Sequence, residues 1–202
     1  MSVGIPPSLF AAEAVPFVPR RFTVEEYQRM GELGVLTEED RVELLEGVIT
    51  PKMVHNPPHG VTLSLLEQAL RPLLPIGWFL RVQCPIITED SAPEPDVAIV
   101  RGTARDYLRR HPGPADVALL VEVSDSSLTR DRRKSRLYAR AGVQVYWIVN
   151  LVEEQIEVHM QPSGPGESPA YGAIAIHKRG DSVPALVGDA GLGILPVNDL
   201  LP

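Results

Sequence analysis

The sequence predicts an α/β (α+β) fold with a mixed β-sheet flanked by helices. Residues Val117–Ser124 are apolar almost throughout, as is typical of a strand buried on both faces. A helical pattern follows from about Leu128 to Ala141 and stops at Gly142, and Val143–Asn150 has the character of a second central strand. This order of strands and helices indicates a mixed sheet covered by helices.

The first third of the chain predicts a short helix, a hairpin and a longer helix. The segment Thr23-Val-Glu-Glu26 has the spacing of a capping box and starts a helix that runs to about Met30. Two apolar-rich runs in RVELLEGVITPKM flank Glu46-Gly47 and predict a β-hairpin whose glycine supplies the turn. Apolar residues at helical spacing then predict a helix from His59 to about Leu74.

Four further segments predict strands of the sheet. Leu80–Thr88 and Asp96–Arg101 precede the central strand. Gln155–Gln161, which we expect to return antiparallel to its neighbour, and Ala170–His177 follow the second central strand. The remaining tail has only a weak pattern, and no further element is predicted there.

Length, composition and charge limit the kind of protein. The 202 residues predict a flexible arm over residues 1–21 and one domain over residues 22–202. No apolar run approaches the ~20 residues of a membrane span, so we expect no membrane association, and the single cysteine, Cys84, fits a cytoplasmic location. The net charge of −7 argues against nonspecific binding of nucleic acid, so an enzyme acting on it needs a local basic face, for which Arg130–Arg140 is a candidate.

Three ionisable residues stand where an ordinary core would place apolar ones. Asp96 opens an apolar strand, Glu122 interrupts the central strand, and Lys134 lies in the helix that follows. A carboxylate within an apolar strand is costly to bury unless it is paired or bound to a metal. Taken alone, each acid also fits a solvent-facing strand end, but two such acids on apolar strands favour a shared site.

Lys134 shares the apolar face of its helix. At about 100° per residue, one side of the helix carries Lys134, Leu137, Tyr138 and Ala141. The opposite side carries Arg132, Arg133, Arg136 and Arg140. The alternative is a lysine whose stem covers the edge of the core while its amine reaches water.

Two carboxylates and an ammonium group suit metal-assisted hydrolysis of a phosphodiester. Asp96 and Glu122 offer the hard oxygen ligands that Mg²⁺ prefers, with Mn²⁺ as the alternative ion. The ammonium of Lys134 can position the attacking water or stabilise the charge that develops on the phosphate. Glu43 is the favoured third acid, because Glu46 belongs to the hairpin turn.

Histidines and arginines complete the set of candidate residues. His55 and His59 flank Pro57-Pro58, which argues against a shared helix face and against zinc ligation. His59 is a candidate for a structural or substrate-contact role. For contacts with nucleic acid, the candidates are His59, Arg132, Arg133 and Arg136.

Four stretches of the sequence, taken in order, resemble the Uma-two-type family of restriction endonucleases in the PD-(D/E)XK nuclease superfamily. They are RVELLEGVI, NPPHGVTLSLL, PEPDVAIV and LLVEVSDSSLTRDRRKSRLYARAGVQVYWIVN, and they span roughly Arg41 to Asn150. The resemblance implies a restriction-endonuclease-like mixed sheet flanked by helices, with a Mg²⁺-dependent phosphodiesterase site. Residues 22–202 are accordingly expected to form one endonuclease-like domain.

The same resemblance implies roles for individual residues. Asp96 corresponds to the motif aspartate and Glu122 to the second motif acid, whereas Glu43 corresponds to an upstream glutamate. Ser124 stands where the superfamily usually has a strand lysine. The displaced lysine of the family falls on Lys134, in the helix.

The first hypothesis is therefore a Mg²⁺-dependent DNA endonuclease with Glu43, Asp96, Glu122 and Lys134 as catalytic residues and Asp96 and Glu122 as metal ligands. A homodimer is expected, since symmetric dimers suit the cutting of two strands. The alternative is a catalytically inactive module of the same fold that serves dimerisation or nucleic-acid binding.

Overall fold

The structure is a computed structural model that describes residues 19–53, 55–187 and 190–202. Within these residues the chain forms three α-helices and ten β-strands besides short 3-10 turns. In chain order they are α1 (Val24–Glu32), β1 (Val42–Leu45), β2 (Val48–Pro51), α2 (Pro57–Leu70), β3 (Trp78–Val82), β4 (Val97–Arg101), β5 (Val117–Ser124), α3 (Leu128–Ala141), β6 (Val145–Asn150), β7 (Gln155–Pro162), β8 (Tyr171–Lys178), β9 (Ser182–Val187) and β10 (Ala190–Pro196).

Strands β3 to β8 form a six-stranded sheet in which neighbours in the chain are neighbours in the sheet. Strands β5 and β6 are parallel and are joined by α3, whereas the other pairs in this sheet are antiparallel. The mixed sheet flanked by helices that the sequence predicts is thus confirmed. Because α3 starts directly after β5, its first turns lie beside the carboxyl end of that strand.

Helices α2 and α3 belong to two separate apolar clusters formed with the sheet. Leu137 of α3 packs in one cluster with Ile148 of β6. Leu66 of α2 packs in the other with Trp147 of β6, which the β9–β10 hairpin also joins. Successive residues of β6 point to opposite faces, as the period of two in a strand requires. The central strands are therefore buried on both faces, which explains their apolar sequences.

The β1–β2 hairpin forms where the sequence predicts it. Its turn residues both have positive φ, 50° at Glu46 and 74° at Gly47, a combination that matches the twist of the two strands. A Cβ atom on Gly47 would come within 2.6 Å of the Cβ of Arg21, so glycine is required there. The N–H of Ala92 donates to the carbonyl of Leu44 at 2.8 Å, which attaches the hairpin to the segment before β4.

Two parts of the fold differ from the sequence prediction. The strand expected over Leu80–Thr88 ends at Val82, since the chain turns at Gln83, where φ is 48°, and Pro85 has no N–H for a strand partner. The tail, where no element is predicted, forms the β9–β10 hairpin. Proline and glycine within this hairpin hide its strand pattern, because both residue types are rare in strands.

The predicted arm over residues 1–21 lies, up to residue 18, outside the described residues. The division of the chain into an arm and one endonuclease-like domain stays a prediction. Among the helices of the described ranges, none is long and apolar enough to cross a membrane.

Candidate active site

A cleft of about 1400 Å³ opens beside the carboxyl end of β5. Its walls come from α1 and the loop after it, the β1–β2 hairpin, the start of α2, the segment before β4 and the start of α3. The four predicted catalytic residues, Glu43, Asp96, Glu122 and Lys134, line this cleft together with His59.

Lys134 bridges two of the acids. Its Nζ lies 2.9 Å from Oε1 of Glu122 and 3.2 Å from Oε1 of Glu43. Lys134 is only 6% exposed, so its amine does not extend into water, which was the alternative that the sequence left open. Burial acts to lower the pKa of Lys134, but the two carboxylates outweigh burial and raise that pKa above its ordinary value. The site therefore holds a charged ammonium.

Glu122 is buried among like charges. Its Oε1 accepts hydrogen bonds from Lys134 and, at 3.0 Å, from the hydroxyl of Tyr138. Burial raises the pKa of Glu122 well above its ordinary value, and the carboxylates of Asp131 and Asp96 add to this rise while Lys134 opposes it. A divalent cation relieves such a concentration of negative charge, so the donor set fits a hard metal ion.

Asp96 is held by the backbone of the neighbouring strand. Its Oδ2 accepts the N–H of Val123 at 2.7 Å and lies 3.1 Å from Nε2 of His59. Burial acts to raise the pKa of Asp96, but the hydrogen bond and charge of His59 and the N–H of Val123 together lower it below its ordinary value. Asp96 is therefore an ionised carboxylate in a fixed orientation.

Glu43 reaches the cleft from the hairpin. Leu44 packs into a small apolar cluster behind β1, so its neighbour Glu43 points to the other side, toward α3. The guanidinium of Arg130 donates to Glu43 and, at 2.6 Å, to the carbonyl of Pro51, and the N–H of Glu94 donates to Glu43 at 3.0 Å. Arg130, which the sequence placed only in a basic stretch, thus joins the hairpin to α3.

Asp131 is a further acid of the cleft that the sequence reasoning missed. It is 3% exposed and accepts a hydrogen bond from the hydroxyl of Ser127. Burial raises the pKa of Asp131, and the hydrogen bond from Ser127 opposes this rise. The signal was available, because Asp131 precedes Lys134 by three residues and so lies on the same helix face.

A comparison with protein families identifies the family of the chain. The family model described as "Uma2: Putative restriction endonuclease" matches residues 24–194. The chain belongs to the Uma2 family. This confirms the family that the sequence stretches indicate.

A solved structure shares the fold of this Uma2 protein. The crystal structure of "a putative nuclease belonging to DUF820" from Anabaena variabilis ATCC 29413 matches with a TM-score of 0.63 and 15% sequence identity, over 89% of this chain and 97% of that chain. At this identity the likeness concerns the fold alone. A search of curated proteins found no match.

In this Uma2 protein the lysine that contacts Glu122 comes from a helix and not from the strand. Ser124 closes β5 at the position that the superfamily usually gives to lysine, and its Oγ lies 3.4 Å from Oγ of Ser127. Lys134 enters the same region from the second turn of α3. The carboxylates of Asp96 and Glu122 could hold a metal ion next to the ammonium of Lys134.

The histidines lie closer together than their sequence suggests. His55 precedes α2, whose first residue is Pro57, so the two histidines do not share a helix, as expected. Their rings nevertheless stack, with centroids 4.0 Å apart and planes 8° apart. Donor atoms of both histidines and of Asp96 lie within 4.8 Å of one another, so Pro57-Pro58 does not keep the two rings apart.

The arginines predicted to contact nucleic acid lie on the outer side of α3. Arg132 donates to the buried carboxylate of Glu157 at 2.6 and 3.2 Å, Arg133 is exposed, and Arg136 donates to the carbonyl of Glu167 at 3.2 Å. They do not belong to the cleft lining of the described residues, and their contact with nucleic acid stays a prediction. The lysines and arginines of the lining, besides Lys134, are instead Arg41, Lys52, Arg109, Arg110 and Arg130.

Proposed function

We propose that this Uma2 protein is a Mg²⁺-dependent endonuclease that hydrolyses phosphodiester bonds of DNA, with Mn²⁺ able to replace Mg²⁺. One observation carries the proposal: a buried, charged lysine contacts two carboxylates in a cleft that also holds an ionised aspartate. Membership of a family described as restriction endonucleases supports the substrate class.

In the proposed site, Asp96 and Glu122 are the metal ligands. An ion held by these two carboxylates would polarise the phosphate and lower the pKa of a nearby water molecule toward neutral pH. Two features support these ligands: the N–H of Val123 fixes Asp96, and the hydroxyl of Tyr138 fixes Glu122. Ligands held by their neighbours need little reorganisation when the substrate arrives.

Lys134 has the role of positioning the attacking water and stabilising the phosphate oxygens. The water oxygen forms a bond to phosphorus and releases a proton to the solvent, one ester P–O bond breaks, and the leaving oxygen takes up a proton from the solvent. Glu43, itself held by Arg130, keeps the ammonium of Lys134 in place through its 3.2 Å contact. The charge of Lys134 suits this role, because an ammonium opposes the negative charge that builds up in the transition state.

The charge around the cleft supports DNA as the substrate. The chain has a net charge of −7, yet exposed Arg41 and Arg109 line the cleft that contains the acids. A local basic rim lets an acidic protein hold a phosphate backbone. We further propose that the enzyme works in the cytoplasm as a homodimer, since two symmetric sites suit the cutting of both strands.

A plasmid-nicking assay tests this function. We expect nicking of supercoiled DNA with Mg²⁺ or Mn²⁺ and none with a chelator present. Asp96→Asn and Lys134→Ala should each lower the rate by at least roughly 100-fold, because each removes a group that acts on the reacting phosphate. Lys178→Ala, an exposed lysine on β8, is the matched control and should keep the wild-type rate.

Cleavage that persists unchanged in Asp96→Asn and Lys134→Ala would contradict the assignment. DNA binding without any cleavage by the wild-type chain would instead favour the inactive module of the same fold. A gel-shift measurement on the same samples separates these outcomes.

A further inference from the structure

We propose that His55, His59 and Asp96 form a second cation site, which selects a first-row transition metal such as Zn²⁺ over Mg²⁺. The cluster shares Asp96 with the proposed catalytic centre but adds two ring nitrogens, which the centre formed by Glu43, Glu122 and Lys134 lacks. The proposal concerns metal binding itself and does not depend on nuclease activity.

The three side chains are already close enough to share one ion. His59 Nε2 lies 3.1 Å from Oδ2 of Asp96, and one donor atom from each of the three residues lies within 4.8 Å of the others. Donors around a tetrahedral Zn²⁺ ion, with bonds of about 2.0–2.1 Å, stand roughly 3.3 Å apart. The His59–Asp96 pair meets this spacing, and an exposed His55 can move the remaining distance at little cost.

The local backbone builds the cluster. Asn56 is the N-cap of α2 and accepts the N–H of His59 at 3.3 Å, while Pro57-Pro58 occupies the first turn. This start of the helix brings the ring of His55 back onto that of His59, with the planes 8° apart. One ring nitrogen of each histidine and a carboxylate oxygen of Asp96 lie within 4.8 Å of one another.

The donor types set the class of metal. Imidazole nitrogen suits zinc and the other later first-row ions, whereas Mg²⁺ requires oxygen ligands. Gln83 contacts two of the three proposed ligands, since its amide nitrogen lies 3.0 Å from Nδ1 of His55 and 3.4 Å from Oδ1 of Asp96. The neighbouring Cys84 lines the same cleft and is the one thiol of the chain, so it must be tested as a competing ligand.

Calorimetric titration of the full chain with ZnCl₂ in excess MgCl₂, without nucleic acid, tests the site. We expect one Zn²⁺ per chain in the presence of Mg²⁺. His55→Ala and His59→Gln should each weaken Zn²⁺ binding by more than roughly tenfold, as expected for the loss of a ligand. His177→Ala and Cys84→Ser should bind Zn²⁺ like the wild type, His177 being a partly exposed histidine on β8.

Several results would overturn the site. They are no Zn²⁺ binding by the wild type, wild-type affinity in both His55→Ala and His59→Gln, or a loss of binding in Cys84→Ser alone. Circular dichroism on each variant confirms folding, and His55 is exposed, so His55→Ala remains informative if His59→Gln does not fold. Because the readout is metal binding, a chain that binds Zn²⁺ but does not cut DNA would refute the proposed function and leave this site intact.

Discussion

At the scale of single residues, the cleft is a set of buried charges that support one another. Lys134 is charged because Glu43 and Glu122 surround it, and Asp96 is ionised because His59 and the backbone of β5 donate to it. A charge that loses such a partner in the interior costs more than the contact itself was worth. Substitutions of the partners therefore report on the site without touching the reacting groups.

Tyr138→Phe removes one such partner. Its hydroxyl donates to the buried Glu122 at 3.0 Å, and the tyrosine is fully buried, so no water can replace it. We expect the free energy of unfolding to fall by about 1–2 kcal/mol in urea denaturation. Tyr107→Phe is the control: this partly exposed hydroxyl donates to the carbonyl of Arg101 at 2.9 Å, and water can take its place. Equal losses in both variants would contradict a special role for the Glu122 contact.

The sequence predicts part of this residue set and misses the rest for a physical reason. Asp96, Glu122 and Lys134 could be found because a charge on an apolar strand or helix face breaks a local pattern. Arg130 breaks no such pattern, since it lies in a basic stretch and gains its role from Glu43, which is distant in the sequence. His55 is close to His59 in the sequence, but only the fold brings both of them to Asp96.

At the scale of elements, the hairpin and the helix after β5 carry the site. The bounds of α3 follow from the sequence, because Gly142 takes a left-handed conformation, with φ of 79°, that ends the helix. The β1–β2 hairpin is predictable in the same way, because its turn residues Glu46 and Gly47 both take positive φ. The β9–β10 hairpin could not be predicted, since its stability comes from packing against the sheet and not from its own strand propensity.

Gly47→Ala tests the turn that presents Glu43. Gly47 has φ of 74°, and an added Cβ would clash with Arg21, so we expect a loss of about 1–3 kcal/mol in thermal or urea unfolding. Gly60→Ala offers a matched comparison within α2, where a Cβ meets nothing within 4 Å. That variant should gain up to about 1 kcal/mol, because alanine favours a helix. The prediction fails if Gly47→Ala is as stable as the wild type.

At the scale of the whole molecule, the distribution of charge matters more than its sum. The acidic chain gathers basic residues at the cleft rim and a second group on the outer side of α3. For the proposed DNA endonuclease, only one of these two faces needs to contact the phosphate backbone of the duplex. The salt dependence of binding identifies it, because each phosphate contact adds about 0.9 to the slope of log K against log salt.

Arg41→Ala and Arg109→Ala should each reduce this slope by about one unit. Fluorescence anisotropy with a DNA duplex, in the presence of a chelator to prevent cutting, provides the measurement. Arg133→Ala, an exposed arginine outside the cleft lining, is the control and should leave the slope unchanged. The reverse result would place the duplex on the outer face of α3, where the sequence alone predicts contacts from Arg132, Arg133 and Arg136.

Because Lys134 lies on a helix, the site can assemble only after several elements of the fold have packed together. A lysine on β5 itself would stand two residues from Glu122 as soon as the strand existed. Lys134 meets Glu122 and Glu43 only when α3 has packed against the sheet and the hairpin has docked on α3. A partly folded chain therefore has the acids but no assembled site, so the proposed nuclease would gain its activity only when its tertiary structure is complete.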